Sequence, residues 1–294
     1  MRAPVWKVCG GDALLGEGPV WDPRRACLWY VDIKRRLVHR YDPSTGSLSQ
    51  WRAPAQVGWV LPATDGRLVA GLQTGLALFD PESGAFEPLA DVEPHLPGNR
   101  LNDATVAADG AIWFGSMDDG ETLATGRVYR FDGAVVSTTG IASVPITNGP
   151  AISPDGTRLY HVDTAGGVVH AIPVGPEGET SAAQVFVAID PVEGYPDGVS
   201  VDSAGNVWLG LWGGGCARCY RPDGSLLREV RLPASNVTKI ALGGPELKTA
   251  YATTARIGLD DAALADQPDA GSVFAFDVAV AGVAMPPARL IRAR

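Results

Sequence analysis

The stretch Asn102-Asp103-Ala104-Thr105-Val106-Ala107-Ala108-Asp109-Gly110 leads into the apolar run Ile112-Trp113-Phe114. The same grammar returns at Asn148, eight residues before Gly156 and the run Leu159-Tyr160-His161-Val162. It returns again at Asp197, eight residues before Gly205 and the run Val207-Trp208-Leu209. Outward from these three copies the pattern continues at Glu17, Gly58 and Thr238. The steps between the six stations are 41, 44, 46, 49 and 41 residues. A period of this size marks a radial or stacked repeat, in which residues far apart in sequence occupy equivalent places around one axis.

The runs that follow the turns are short, aromatic or β-branched, and bounded by Asp, Pro or Gly. Cys27-Leu28-Trp29-Tyr30-Val31 and Ala250-Tyr251-Ala252 are further examples. They read as strands. Each repeat has a second such segment ending in its own turn, as in Val38-His39-Arg40-Tyr41-Asp42-Pro43 and Val128-Tyr129-Arg130-Phe131-Asp132-Gly133. Weaker outer segments such as Gln184-Val185-Phe186-Val187-Ala188 complete four antiparallel strands per ~45 residues, the size of a propeller blade. Six units predict an all-β, six-bladed β-propeller occupying residues 1–294 as a single domain. A WD-repeat propeller needs a recurrent Trp-Asp pair, and here Trp21-Asp22 occurs once. The segment Val5-Trp6-Lys7-Val8 is expected to close the ring as an outer strand of the last blade, although a C-terminal strand would also serve. Helix is expected only in an insertion over 257–270, around Asp260-Asp261-Ala262-Ala263-Leu264-Ala265.

Composition narrows the function classes. Hydrophobic residues make up 46% and charged ones 19%, enough for a packed core, and the 36 Gly and 23 Pro fall at regular turns. A net charge of -9 argues against a nucleic-acid partner. No apolar run approaches the ~20 residues that span a bilayer. The N-terminal residues lack the apolar core of a signal peptide, so a cytoplasmic location is expected. Cys216 and Cys219 lie an odd distance apart in a predicted strand, which points them to opposite faces and away from a shared metal. His161 reads as a structural histidine. Gly-x-Ser-x-Gly, Walker and dinucleotide-binding motifs are absent.

In a propeller the innermost strands begin around one mouth of the central channel. That places Glu17, Asn102, Asn148 and Asp197 together. Two carboxylates and two amides there can hold a divalent cation through oxygen while leaving places for water and a substrate.

Several motifs carry a family resemblance. Leu15-Gly16-Glu17-Gly18-Pro19, Trp29-Tyr30-Val31-Asp32-Ile33, Arg100-Leu101-Asn102-Asp103, Trp113-Phe114-Gly115-Ser116-Met117, Thr147-Asn148-Gly149-Pro150 and Tyr195-Pro196-Asp197-Gly198 resemble the SMP-30/gluconolactonase/regucalcin family. Asn236-Val237-Thr238-Lys239, Gly243-Gly244-Pro245 and Thr253-Thr254-Ala255-Arg256 resemble bacterial sugar lactonases, including those acting on xylonolactone and arabinonolactone. The resemblance implies one divalent ion (Ca²⁺, Zn²⁺, Mn²⁺ or Fe²⁺) held by Glu17, Asn148 and Asp197. It implies Arg100 and Asn102 as substrate-contacting residues and Asp197 as the base that activates water. Asp103 would support them, and the loop Asp118-Asp119-Gly120-Glu121 would be the family's variable lid, with Glu121 near substrate. The implied reaction is hydrolysis of an aldonolactone, pentonolactones slightly favoured over gluconolactone. The implied partner is this small-molecule lactone; charge and hydropathy argue against nucleic acid and membrane, and the oligomeric state stays open, a monomer being compatible. A non-catalytic, regucalcin-like calcium-binding protein is the alternative, and a protein-docking propeller a third.

Overall fold

The computed structural model describes residues 4–291. Six four-stranded antiparallel sheets follow one another along the chain. The first runs from the inside outward as Gly16–Asp22, Cys27–Asp32, Leu37–Asp42 and Ser47–Arg52. The next four repeat this order from the inner strands Val57–Pro62, Asn99–Val106, Thr147–Ile152 and Tyr195–Val201. The sixth contains Val237–Gly243, Thr249–Thr254 and Ser272–Asp277, and its outer strand is Val5–Gly10 from the other end of the chain. Each inner strand packs beside the inner strands of its two neighbours, so the ring closes on itself. This is the expected six-bladed propeller, closed by the N-terminal strand.

The continuous apolar runs have a physical reason. The second strand of a blade has neighbours on both sheet faces, so alternate side chains enter two different cores. Leu28 and Tyr30 join the cluster shared with the sixth blade, beside Tyr251, Val273 and Ala275. Trp29 and Val31 face the second blade, beside Val57, Leu68 and Phe79. Such clusters fill all six blade-to-blade interfaces, so the core is a ring of wedges rather than one central mass. Cys216 and Cys219 follow the same rule: free and buried, they lie in the interfaces on either side of the fifth blade. The turn glycines Gly110, Gly156 and Gly205 have φ of 83°, 75° and 79°, a region where a side chain is strained.

Among the described residues helix is confined to Asp261–Asp266, started by the Asp260 carboxylate accepting from the Ala263 amide at 2.8 Å, and a 3₁₀ turn at Pro191–Glu193. No helix among the described residues is long and apolar enough to cross a membrane. His161 is buried and stacks on His170 at 6.3 Å. Beyond Asp277 the chain leaves the sixth blade and crosses one mouth of the channel. The Ala288 amide donates to the Pro62 carbonyl (2.7 Å) and the Arg289 amide to the Gly110 carbonyl (2.8 Å).

Candidate active site

Every inner strand is bulged at or beside its station. The register to the second strand shifts between Glu17 and Val20, Val57 and Trp59, and Leu101 and Ala104. It shifts likewise between Asn148 and Ala151, Pro196 and Val199, and Val237 and Ile240. A bulge turns the strand and re-aims the side chains it carries. Here it directs them into the channel mouth left open by the C-terminal segment. Glu17, Arg100, Asn102, Asn148 and Asp197 all line one cavity of about 440 Å³ there. Lys34, Glu121, Thr164, Tyr195 and Trp212 complete much of its wall.

The other two stations take no part. A Cβ on Gly58 would stand 2.5 Å from the Leu101 carbonyl oxygen, so this position admits no side chain. The Thr238 hydroxyl donates to the Gly16 carbonyl at 2.6 Å, tying the sixth blade to the first.

A directional chain of hydrogen bonds fixes the amides. Arg100 Nη1 donates to Asn102 Oδ1. Asn102 Nδ2 donates to Asn148 Oδ1 (2.9 Å) and to the Thr147 carbonyl (2.7 Å). Asn148 Nδ2 donates to Thr164 Oγ1 (2.9 Å), whose hydroxyl donates to the carbonyl of Pro196 (2.8 Å). The chain ends beside Asp197. Its order leaves Asn148 presenting an oxygen, with a lone pair beyond the one Asn102 uses. Both ends of the Asn102 amide are engaged within the protein, so it orients its neighbours as well as lining the cavity.

Arg100 is held from its other side. Its Nε donates to Asp119 Oδ1 at 2.8 Å, where Lys34 Nζ also donates (2.6 Å), while Gln56 donates to Asp119 Oδ2 (2.9 Å). Burial raises the Asp119 carboxyl, but these partners outweigh it and hold it down at about 2. The loop is further folded by Asp118, whose Oδ2 accepts from the Thr122 and Leu123 amides at 3.0 and 2.9 Å. The expected lid is thus a pinned loop that carries Glu121 to the cavity wall.

The carboxylates are crowded and buried. Burial, and then the charge of Asp103, push Glu17 up to about 8. Burial, followed by the charges of Glu17 and Asp103, raises Asp197 well above the usual carboxylate range. Glu17 Oε2 accepts from the Gly18 amide (2.7 Å), whereas Asp197 Oδ1 is buried with no hydrogen-bond partner. An orphaned buried oxygen is costly unless something positive meets it. Among the described residues no three His, Cys, Asp or Glu side chains are grouped as a metal site. The set here is two carboxylates and one amide, all oxygen donors, which suits a hard divalent cation. Asp103 lies off the cavity wall and forms an ion pair with Lys239 instead. Sequence reasoning missed Lys239, Thr164, Lys34 and Gln56. Only Lys239 carried a repeat signal, since it follows the sixth station as Asp103 follows the third.

Fold and site together define a six-bladed propeller whose channel mouth gathers two buried carboxylates, two amides and an arginine on one cavity. The chain belongs to the SMP-30/gluconolactonase/LRE-like family, whose model matches residues 15–256. It is 35% identical to L-arabinolactonase of Azospirillum brasilense over 274 residues, 92% of this chain and 90% of that one. It is 34% identical to 6-deoxy-6-sulfogluconolactonase of Pseudomonas putida over 275 residues, covering 93% and 94%. Among solved structures it resembles regucalcin of Agrobacterium tumefaciens, described as a calcium-binding protein, with a TM-score of 0.94 and 30% identity over 98% of each chain.

Proposed function

We propose that this protein hydrolyses a sugar lactone to the aldonic acid, using one divalent cation held by Glu17, Asn148 and Asp197. The observation that carries the proposal is the convergence of these three oxygen donors with Arg100 and Asn102 on one cavity. Its volume falls in the range that encloses small ligands. Two lactonase relatives, one acting on a pentose-derived and one on a hexose-derived lactone by their names, support the reaction class. A pentonolactone is the favoured substrate.

The bound cation supplies Lewis acidity toward the lactone carbonyl. Arg100, fixed by Asp119 and Asn102, presents its remaining donors to ring hydroxyls, and this sets the angle of the carbonyl to the attacking water. Asp197 takes a proton from that water as the new C–O bond forms, and the charge develops on the carbonyl oxygen. When the ring C–O bond breaks, the departing alkoxide needs a proton, and Asp197 returns the one it took. Trp212, Leu15, Met117 and Ile146 line the same cavity and reduce the water that reaches these groups.

The test is acid release from xylonolactone, arabinonolactone and gluconolactone, first by metal-free protein and then with Ca²⁺, Mn²⁺, Fe²⁺ or Zn²⁺ restored. Cation-dependent hydrolysis of an aldonolactone is expected. Absence of turnover with every lactone and ion would leave the second reading, a regucalcin-like calcium-binding protein, which the likeness to the A. tumefaciens structure favours.

A further inference from the structure

One residue past each station lies a second layer around the channel: Gly18, Trp59, Asp103, Gly149, Gly198 and Lys239. Three of the six have no side chain, and Trp59 is packed in the core between the second and third blades. Asp103 and Lys239, from opposite sides of the ring, fill the space that remains and pair across it. Both are buried, with side chains 1% and 8% exposed. Lys239 Nζ also approaches the Ala104 carbonyl (3.4 Å), and Asp103 Oδ1 accepts from the Ala104 amide (2.8 Å). Asp103 Oδ2 is buried without a partner.

The glycines are part of this construction. A Cβ on Gly198 would lie 2.6 Å from both Cβ and Cγ of Lys239, so the lysine stem occupies the place of a side chain next to Asp197. Lys239 and Ala104 also line a second cavity of about 350 Å³ on the far side, under residues 283–286 of the C-terminal segment. Lys239 therefore borders the far cavity, while Asp103, its partner, follows Asn102, which lines the near one beside Glu17 and Asp197.

We propose that the Asp103–Lys239 pair is a charge-setting floor that tunes the cation affinity of the site above it. This rests on the functional reading given above. A buried ion pair is seldom retained for stability, because desolvation offsets most of its attraction. Its two charges nevertheless act with opposite sign on a divalent ion a short distance away. Lys239 opposes the cation and Asp103 attracts it. Together they hold the local charge near that of the ligands alone, strong enough to bind a cation yet still leaving it able to accept a further oxygen from substrate.

The sign of the effect separates this role from structural support. The experiment is calorimetric titration of Ca²⁺, and separately Mn²⁺, into metal-free full-length protein at pH 8. The proteins are wild type, Asp103→Asn, Lys239→Met and the double variant, each checked for folding by its thermal midpoint. Asp103→Asn leaves the lysine charge unopposed and is expected to weaken binding by about tenfold to a hundredfold, the usual scale for groups just outside a metal's ligands. Lys239→Met is expected to tighten binding relative to wild type. The double variant should return toward wild type. If Lys239→Met does not fold, the comparison of Asp103→Asn with the double variant decides, because the two differ only in the charge at 239 and the double should bind more tightly. Equal weakening in both single variants, or no change in either, overturns the floor while leaving the lactonase reading intact. A wild-type protein that binds neither cation overturns both.

Discussion

At the residue scale, ligation and substrate positioning are divided between neighbours in space. Arg100 cannot bind a cation, and its Nε and Nη1 are committed to Asp119 and Asn102. Arg100→Ala removes a positive charge and no ligand, so it should not weaken cation binding, while kcat/KM falls by about tenfold to a hundredfold, several positioning hydrogen bonds being lost. Asp197→Ala should abolish both, with activity lower by orders of magnitude. Cation titration and lactone kinetics on the same two variants check the division, and loss of cation binding in Arg100→Ala would refute it. Thr164 belongs to neither group, yet it links Asn148 to the strand carrying Asp197. Thr164→Val should strand the Asn148 donor and the Pro196 carbonyl, costing about 1–3 kcal/mol of stability. It should also lower kcat, because the Asn148 amide is then free to turn its nitrogen toward the cation position. Unchanged kinetics in a folded Thr164→Val protein would show that the chain of hydrogen bonds has no bearing on catalysis. Four of the five expected site residues were legible because they fall on the repeated strand position; Arg100, two residues before Asn102, was carried by the family resemblance alone. Thr164 comes from the turn between the second and third strands of the fourth blade, and nothing in its neighbours announces it.

At the scale of the element, the bulge is what converts a strand start into a site. It was not legible, because a bulge is a property of two paired strands and the sequence displays one at a time. What the sequence did display was its consequence, a Gly or Pro beside Glu17, Asn148 and Asp197. The Asp118–Glu121 loop shows the converse. The resemblance made it the family's variable lid, but the partners of Asp119 at Lys34, Gln56 and Arg100 come from three blades and pin it. Asp119→Ala should therefore raise KM more than it lowers kcat, since it frees Arg100 without touching the base. A kcat loss with unchanged KM would contradict that assignment. The strand Arg158–Asp163 carries a pH-dependent element of another kind. Burial, aided by the charge of His170, lowers His161 from 6.5 to about 4. The unfolded chain then binds a proton that the folded one refuses, so stability falls as pH drops from about 6.5 and levels off near 4. The loss is at most about 1–3 kcal/mol. His161→Leu should flatten the thermal midpoint across that window, and an undiminished acid slope would assign the effect elsewhere.

At the scale of the whole molecule, the propeller has no central core to fall back on. Its apolar packing is divided among six interfaces, and the ring holds only if the last wedge is complete. The repeat made this architecture readable, because every blade solves the same packing problem and therefore repeats the same run. Ring closure was less readable, since the closing strand Val5–Gly10 is short, half its residues are exposed and it resembles any outer strand. The path of the C-terminal segment had no repeat to reveal it at all. Yet Val5–Gly10 joins the two ends of the chain within one sheet, through its pairing with Ser272–Asp277 and the Lys7–Asp269 ion pair at 2.8 Å. Removing residues 1–11 would leave Ser272–Asp277 as an unpaired edge and uncover the side that packs against Val5. An open edge of this kind recruits another chain. The shortened protein should melt roughly 5–10 °C lower, the shift that a loss of ~3 kcal/mol brings in a chain of this size. It should also elute as concentration-dependent oligomers. The inner strands that carry Glu17, Asn148 and Asp197 do not depend on that edge for their bulges, so cation binding should persist in the surviving monomer. A monomeric, equally stable truncated protein would show that the ring is closed by the inner strands alone.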